Sequence, residues 1–180
     1  MTNTFFTADS HFSHTNIIKY SNRPFKDATE MNETLIRKWN DKIPDSDSVV
    51  YFLGDFAFCS QNDAQKIFDR LNGQKHLIIG NHDKSGVQIH GWKSKQHYLE
   101  VTVNKQFIVL CHYAMRVWNR SHHGAWQLYG HSHGSLPDDP YAKSFDVGVD
   151  CWNYTPLSFD DVERVMRKKE TRPVDHHGQR

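Results

Sequence analysis

Seven side chains that bind metal ions stand in five short segments of this sequence. They are two aspartates, one asparagine and four histidines: Asp9, His11, Asp55, Asn81, His112, His131 and His133. Carboxylate, amide and imidazole groups are the oxygen and nitrogen donors that suit divalent cations such as Mn, Fe, Ni or Zn. This set of donors fits two such cations held side by side. We therefore interpret the chain as a two-metal hydrolase.

Four of these segments directly follow a run of residues that is typical of a β-strand. Each run has four to six residues and is rich in β-branched and aromatic side chains, at 3–8, 48–53, 76–79 and 107–111. In open sheets built from such strands the carboxyl ends gather at one edge, where the following loops converge on a ligand. We therefore expect donors that are far apart in sequence to meet.

A single polar residue after a strand is more often a turn former or a helix cap than a ligand. The glycines favour the functional interpretation, because Gly54, Gly80 and Gly130 each stand one position before a candidate ligand. A residue without Cβ permits positive φ and lets the backbone approach an ion closely. Gly-Asn-His-Asp and Gly-His-Ser-His are specific in combination, although either motif alone is weak.

The order Asp-x-His, Gly-Asp, Gly-Asn-His-Asp, His and Gly-His-x-His resembles the signature of the calcineurin-like metallophosphoesterases, from Asp9 to His133 with no element missing. Segments beginning at Asn16, Asn22 and Phe145 resemble a compact bacterial and phage branch of that superfamily. The resemblance implies an α/β fold, a four-layer αββα sandwich of two mixed β-sheets flanked by helices. It also implies a two-metal site that acts on phosphate monoesters or diesters.

The resemblance further implies a role for each of the seven ligands. Asp9, His11 and His133 would hold the first cation, Asn81, His112 and His131 would hold the second, and Asp55 would bridge the two. Mn²⁺ is our first choice for both cations, with Fe, Ni, Zn and Mg as alternatives. A metal-bridging hydroxide would be the nucleophile.

His82 and Asp83 are the residues that we predict to be catalytic without binding metal. The resemblance places both beside the cations. His82 is the candidate general acid, because histidine donates a proton readily near neutral pH, and Asp83 would hold its ring and favour the imidazolium form. In the alternative interpretation, His82 only hydrogen-bonds to a loop carbonyl.

Five further residues are predicted to contact substrate: His14, Asn16, Arg23, Arg116 and Arg120. His14 and Asn16 follow the first ligands closely, and the arginines could grip a phosphate chain while Trp118 stacks a base. An ordinary solvated loop is the alternative for each. Asp146 and Asp150 are available to accept hydrogen bonds from ligating imidazoles, or are simply turn residues.

The rest of the pattern predicts the scaffold. Apolar side chains at helical spacing predict helices over 28–40 and 62–71, and Ser158 with Asp161 predicts a capped helix that ends near Lys168. Two strand-like runs joined at Asn104-Lys105 predict a hairpin that leads to His112. The 180 residues fit one domain over 1–169, followed by a polar tail over 170–180 that we expect to be flexible.

Composition excludes several classes of protein. The three cysteines are odd in number and lack ligand spacing, which argues against a disulfide framework and against a structural zinc site. No signal peptide and no span of about 20 apolar residues is present, so we expect a cytoplasmic protein with no membrane partner. The net charge of +1 gives no global field that would attract nucleic acid.

The ligand segments contain neither arginine nor lysine, which slightly favours phosphodiesters over the more strongly charged monoesters. The predicted partner is therefore a phosphate ester, with nucleotides and nucleic-acid ends as candidates. A phosphomonoesterase that acts on proteins or nucleotides is one alternative. The other is a phosphoesterase-like scaffold without activity, since function is argued from the site and not from the fold.

Overall fold

The structure is a computed structural model that describes residues 3–179. Within these residues it contains four α-helices: α1 (Thr15–Tyr20), α2 (Ala28–Lys42), α3 (Gln61–Phe68) and α4 (Phe159–Met166). The strands are β1 (Thr4–Thr7), β2 (Val49–Phe52), β3 (Gln74–Ile78), β4 (Ser94–Gln96), β5 (Tyr98–Val103), β6 (Gln106–Cys111), β7 (Trp126–Tyr129), β8 (Ser144–Asp146) and β9 (Leu157–Ser158). All four strand-like runs that precede candidate ligands are strands, as predicted.

The strands form two mixed sheets, in the orders β4-β3-β2-β1-β9 and β5-β6-β7-β8. Strands β1 to β4 pair in parallel, as do β6 to β8, while β9 and β5 are the antiparallel edge strands. A parallel bridge between Ala8 and Gly148 joins the carboxyl end of β1 to the segment after β8. The two sets of parallel strands therefore deliver their following loops to one end of the sandwich.

Both faces of the first sheet are buried, which explains why its strands read as continuous apolar runs. On one face Phe5, Val50 and Leu77 pack with α2 and α3 in one hydrophobic cluster. On the other face Phe6 and Ile78 pack with side chains of the second sheet and of α4 in another cluster, where Leu110, Leu128, Phe145 and Val162 are buried. The predicted α/β sandwich of two mixed sheets flanked by helices is confirmed.

Local signals explain the boundaries of the helices and of the hairpin. Ser158 and Asp161 form the predicted capping box of α4, an arrangement that typically contributes about 1 kcal/mol. Helix α3 ends at Phe68, three residues earlier than predicted. Asn104 and Lys105 both have positive φ, which matches the twist of a two-residue hairpin between β5 and β6.

Residues 170–179 lie against the domain. The N–H of Glu170 donates to the carbonyl of Pro140, the N–H of Arg172 donates to the carbonyl of Tyr141, and the Arg172 guanidinium lies over the Tyr141 ring at 3.7 Å. The flexibility of this segment stays a prediction. Among the residues that the structure describes, no helix is long and apolar enough to span a bilayer.

Candidate metal centre

The seven candidate ligands meet at the end of the sandwich where the parallel strands finish. Two triads have donor atoms within 4.8 Å of one another: Asp9, His11 and His133 in the first, and Asp55, His112 and His131 in the second. Each ligand follows a strand of one of the two sheets. The convergence expected from sequence is therefore present, and we call the two groups the first triad and the second triad.

The carboxylate of Asp55 lies between the two triads. Its Oδ2 atom is 3.4 Å from Nε2 of His11 and 3.6 Å from Nε2 of His112. Its Oδ1 atom accepts a hydrogen bond of 2.8 Å from the N–H of His82, which fixes the orientation of the carboxylate. This position suits an oxygen that is shared between two cations.

The Nε2 atom of His112 faces an oxygen atom of Asn81 that also accepts hydrogen bonds. Its Nδ1 atom is 2.6 Å from the carbonyl oxygen of Leu53, which can only accept, so Nδ1 carries the proton and Nε2 of the neutral ring has a lone pair. Nε2 in turn faces Oδ1 of Asn81 at 3.1 Å. A protonated ring or a rotated amide would also allow this contact. A cation explains in addition why Oδ2 of Asp55 faces the same Nε2 atom.

Several donor atoms at the centre of the site are buried without a hydrogen-bond partner among the described residues. They include Oδ1 of Asp9, both ring nitrogens of His11 and Oδ2 of Asp55. Leaving a buried polar group unpaired costs roughly 1–3 kcal/mol. Divalent cations would satisfy these atoms together, so the residues present fit a two-metal site.

His133 is oriented by a buried ion pair behind it. Its Nδ1 atom is 2.6 Å from Oδ2 of Asp150, so its Nε2 atom is left free. The Arg23 guanidinium donates to both oxygens of Asp150 at 2.8 Å and also to the carbonyls of Asp9 and Ser10. A carboxylate that accepts the second N–H of a ligating imidazole is the usual support of a metal site.

The backbone of the site is strained. Five of the seven predicted ligands have φ between 47° and 67°, namely Asp9, His11, Asp55, His131 and His133. Left-handed conformation in residues other than glycine is uncommon and costs energy, and it clusters at functional sites. The sequence gives no sign of this strain, because aspartate and histidine do not require such a conformation.

The glycines before the ligands act in two different ways. Gly54 has a φ of +93°, as predicted, and a Cβ there would meet Nδ1 of His112. Gly80 and Gly130 are not in the left-handed region, so only the second reason expected for a glycine, close approach, applies to them. They are required for close approach, since a Cβ at Gly80 would meet Oδ1 of Asp55 and one at Gly130 would lie 2.6 Å from Oδ2 of Asp9.

Burial sets the protonation of the first triad. Burial raises the pKa of the Asp9 carboxyl well above its ordinary value, and the nearby carboxylates of Asp146 and Asp55 raise it further. Burial also lowers the pKa of the His11 imidazole to about 2, with a contribution from His133. His11 is thus neutral at physiological pH, as a metal ligand must be, and a cation would favour the charged form of Asp9.

The structure places His82 at the cleft and corrects the role of Asp83. The exposed His82 ring lies 5.5 Å from the His11 ring and lines the cleft in front of the triads. Asp83 does not hold this ring, because its buried carboxylate accepts the N–H groups of Asp55, Phe56 and Gly80 at 2.8–2.9 Å. Asp83 therefore fixes two ligand loops relative to each other.

Asp146 and Asp150 differ in what they bind. Only Asp150 accepts from an imidazole, whereas the Asp146 carboxylate accepts the N–H groups of Gly134 and Gly148. Strand β8 ends at Asp146, and Asp150 lies in the short 3-10 helix Val149–Cys151. The two carboxylates therefore do not share a strand face.

An open cleft of about 610 Å³ lies in front of the triads, and exposed aromatic rings flank it. His14 lines the cleft, as predicted, and its ring stacks on Phe58 at 4.3 Å. Tyr20 also lines it, and Tyr113 lies edge-on to His131 at 4.8 Å. Tyr20, Phe58 and Tyr113 are 73%, 53% and 46% exposed. Sequence analysis missed these three residues, although each lies within twelve positions of a ligand.

Three arginines predicted to contact substrate lie elsewhere. Arg23 is 4% exposed and pairs with Asp150, so it supports the site from behind. Arg116 lines a separate cavity with Trp118 and Tyr141. Arg120 packs over Phe107 at 4.6 Å, near the amino end of β6, whereas His112 follows its carboxyl end. These three predictions are wrong, because Asp150 holds Arg23 behind the site and because the chain after His112 carries Arg116 and Arg120 away from the cleft.

Two other predicted contacts are also absent from the cleft. Asn16 is exposed on α1, outside the residues that line the cleft. Trp118 is buried and donates its indole N–H to the carbonyl of Ala125, so it belongs to a small core on the second sheet and is not a base platform. The surface available to substrate is therefore aromatic and histidine-rich.

No protein-family model matches the chain. The uncharacterized protein MJ1445 of Methanocaldococcus jannaschii is 37% identical to it over 169 residues, which are 89% of each chain. The chain belongs to the MJ1445 family. The predicted assignment to a bacterial and phage branch stays a prediction.

Two solved structures relate the fold of this MJ1445-family chain to known proteins. The protein of unknown function AQ665 from Aquifex aeolicus has a TM-score of 0.71 at 20% identity, covering 92% of this chain and 100% of that one. A novel archaeal phosphodiesterase has a TM-score of 0.51 at 16% identity, over 81% and 82% of the two chains. The chain has the calcineurin-like phosphoesterase fold, and the resemblance predicted from the sequence is confirmed at that level.

Proposed function

We propose that this protein hydrolyses phosphodiesters at a site for two divalent cations, with Mn²⁺ as the first choice, and that its substrates are nucleotides or nucleic-acid ends. One observation carries the proposal. Oδ2 of Asp55 lies within 3.6 Å of a histidine of each triad, in the midst of buried donor atoms that have no other partner among the described residues.

The chain provides a complete set of ligands for this chemistry. Asp9, His11 and His133 would hold one cation, and Asn81, His112 and His131 would hold the other, with Asp55 shared. When bound, two neighbouring cations lower the pKa of a coordinated water and stabilise charge on the oxygens of an in-line displacement. Asp150 and the Leu53 carbonyl fix the tautomers of His133 and His112, so that each ring presents Nε2 to the site.

His82 is the proposed general acid. Its ring is exposed in the cleft, 5.5 Å from the ring of His11, and its backbone N–H is anchored to Asp55. A ring nitrogen of His82 would donate its proton to the leaving oxygen, a transfer that typically contributes 10²–10⁴-fold to the rate. Because Asp83 holds the backbone on either side of the site, it keeps His82 in register with Asp55.

Two features of the cleft support nucleotide diesters as substrates. None of the described residues that line it is an arginine or a lysine, so the cleft suits a single negative charge better than the two charges of a monoester. The exposed rings of Tyr20, Phe58 and Tyr113 flank it, and aromatic side chains stack on nucleobases with roughly 1–3 kcal/mol per base.

The test is the rate of hydrolysis by the Mn²⁺-loaded protein on matched substrates. We expect a bis-aryl phosphodiester to be cleaved faster than the corresponding aryl monoester. The reverse ratio would replace the diesterase with a phosphomonoesterase. Absence of hydrolysis of either compound by protein that holds two equivalents of Mn²⁺ would indicate a phosphoesterase-like scaffold.

The variant His82→Ala tests the acid on two leaving groups. We expect a loss of about 10² to 10³-fold with an alkyl leaving group and little change with a nitrophenyl group, which needs no proton. His97→Ala, at an exposed histidine beside the hairpin, is the matched control. Equal effects of His82→Ala on both substrates would reject the acid role.

A further inference from the structure

A second group of histidines lies outside the cleft. His122 and His123 come from the 3-10 turn Ser121–His123, which precedes β7, and Asp175, His176 and His177 come from the C-terminal segment. We call these five residues the outer histidine cluster. Since none of them lines the cleft or belongs to either triad, the cluster needs its own explanation.

The imidazoles of the outer histidine cluster are packed closely. The rings of His122 and His177 are nearly parallel, with centroids 3.7 Å apart, and those of His122 and His123 are 4.0 Å apart. His176 and His177 follow at 3.9 Å. With Pro173, three of these histidines line a cavity of about 360 Å³. The contact joins two segments that are more than 50 positions apart in sequence.

The donor atoms are already close to a coordinating arrangement. One donor atom each from Asp175, His176 and His177 lies within 4.8 Å of the other two. Tetrahedral Zn²⁺ with bonds of about 2.1 Å needs its ligand atoms about 3.4 Å apart, so movements of about 1 Å would suffice. The residues are exposed or half-buried, which leaves their side chains room to move.

The electrostatics of the cluster agree with neutral, ligand-like rings. Burial lowers the pKa of the His122 imidazole, and the neighbouring His123 and His177 lower it further. Neutral imidazole is the form that binds transition metals. Three or four imidazoles with one carboxylate are the donors that Zn²⁺, Co²⁺ or Ni²⁺ prefer, whereas Mg²⁺ prefers oxygen.

We propose that the outer histidine cluster binds one transition-metal ion, with Zn²⁺ as its representative. The ion joins the C-terminal segment to the turn before β7. Hydrogen bonds from Glu170 and Arg172 to Pro140 and Tyr141 already bring this segment against the second sheet. Strand β7 leads directly to His131 and His133, so a metal at this site would stabilise the turn before the strand that carries these two candidate ligands. The proposal is independent of the hydrolytic activity.

Metal stoichiometry tests the proposal directly. Chelator-treated full-length protein is dialysed against Zn²⁺, and bound metal is counted for the parent and for the double variant His122→Gln/His177→Gln. We expect the double variant to bind one equivalent less than the parent. The matched control His90→Gln/His97→Gln, which removes two exposed histidines elsewhere, should bind as much as the parent. Equal binding by the parent and the His122/His177 variant, or an equal loss in the control, would overturn the proposal.

Hydrogen exchange in the C-terminal segment provides a second readout that needs no variant. At a free Zn²⁺ concentration about ten times the dissociation constant, exchange that requires release of the metal slows about tenfold. We expect this protection at residues 175–178 with Zn²⁺ and none with Mg²⁺. Unchanged exchange on addition of Zn²⁺, or equal protection by Mg²⁺, would contradict a transition-metal site there.

Discussion

The two triads of the candidate metal centre differ in how far their side chains are exposed and in the groups that support them. In the first triad Asp9 and His11 are buried and His133 is half-buried, and the Arg23–Asp150 pair supports it from behind. In the second triad Asp55 and His112 are buried as well, but His131 is exposed, and so is Asn81 beside His112. His112 is held there by a backbone carbonyl and not by a charged side chain. Each triad thus has two buried donors, and the triads differ in the exposure of the third donor and in the group that supports a ligating imidazole.

This difference indicates that the two triads bind their metals with different affinities. Buried, preoriented donors lose little freedom when they bind a cation, so we expect the first triad to hold its metal more tightly. We expect the exposed His131 and Asn81 to leave room for phosphate oxygens and to let the second metal exchange more readily. Five substitutions test whether the two triads differ in this way.

Asp55→Asn should have the largest effect, because Asp55 is the proposed bridge between the two cations. Losing a shared charged ligand removes several kcal/mol of transition-state stabilisation, which corresponds to a loss in kcat of roughly 10³-fold or more. Metal titration should show both affinities weakened. If only one affinity falls, the two triads are independent and the bridging geometry is wrong.

Asp150→Asn should weaken one metal selectively. Loss of a partner of a ligating imidazole typically costs 10–100-fold in metal affinity, and Asp150 contacts only His133, in the first triad. The variant also leaves the buried Arg23 without its charged partner, which destabilises the fold by about 3–5 kcal/mol. Titrations therefore belong at low temperature, with folding checked by circular dichroism.

Asp161→Asn is the matched control for that experiment. It also removes the partner of a cation, Lys42, but it lies at the start of α4, away from the site. We expect it to lower the melting temperature without changing either metal affinity. If Asp150→Asn weakened both metals equally, the support that Asp150 provides would not be specific to the first triad.

Phe58→Leu should test the aromatic rings that flank the cleft. Replacing a half-exposed ring that stacks on His14 removes a surface for a base, so KM for nucleotide diesters should rise about tenfold. KM for a dialkyl phosphate without a base should not change. Tyr98→Leu, at a comparably exposed ring on β5, is the control. A rise in KM for both substrates would mean that Phe58 acts only by positioning His14.

Features of the site that depend on neighbouring residues in the chain can be predicted from the sequence, whereas features that depend on distant residues cannot. Strand runs ending at polar residues predicted that five of the seven candidate ligands would meet at one edge, because the direction of a parallel strand fixes which edge its loop reaches. The support of His112 could not be predicted, since its partner is the backbone carbonyl of Leu53 and any residue supplies a carbonyl. The ligand patterns are thus visible in sequence, whereas their backbone supports are not.

The arginines illustrate the opposite failure. Arg23 is near His11 in sequence and near the site in space, yet a buried carboxylate 127 positions away decides that it points inward. Arg120 lies only eight positions beyond His112, but the chain runs back along β6 and carries it toward the other end of the sheet. A contact with substrate depends on these long-range pairings, which a pattern of residue types does not encode.

Asp9→Asn should change the pH dependence of the free energy of unfolding when metal is absent, and this effect should be smaller than those above. The folded pKa of Asp9 is raised above its unfolded value, so the folded parent binds this proton more tightly than the unfolded chain. Its stability therefore falls as pH rises above about 4 toward the folded pKa. Asparagine has no such charge and tolerates the positive φ found at this position. In chelator the variant should gain melting temperature relative to the parent as pH rises from 5 to 8, by about 2–4 °C per kcal/mol.

His131→Gln, in the second triad, should change stability with pH in the opposite direction. Burial, followed by the neighbouring His112 imidazole, lowers the pKa of the His131 imidazole, so the parent loses stability as pH falls below about 6.5 and the variant does not. The variant's relative gain should therefore grow toward low pH. Calorimetry in chelator measures both slopes, and a variant whose relative stability did not change with pH would show that burial does not shift the pKa of the group it replaces. A gain by Asp9→Asn with rising pH would identify Asp9 as a group whose buried charge a cation must compensate.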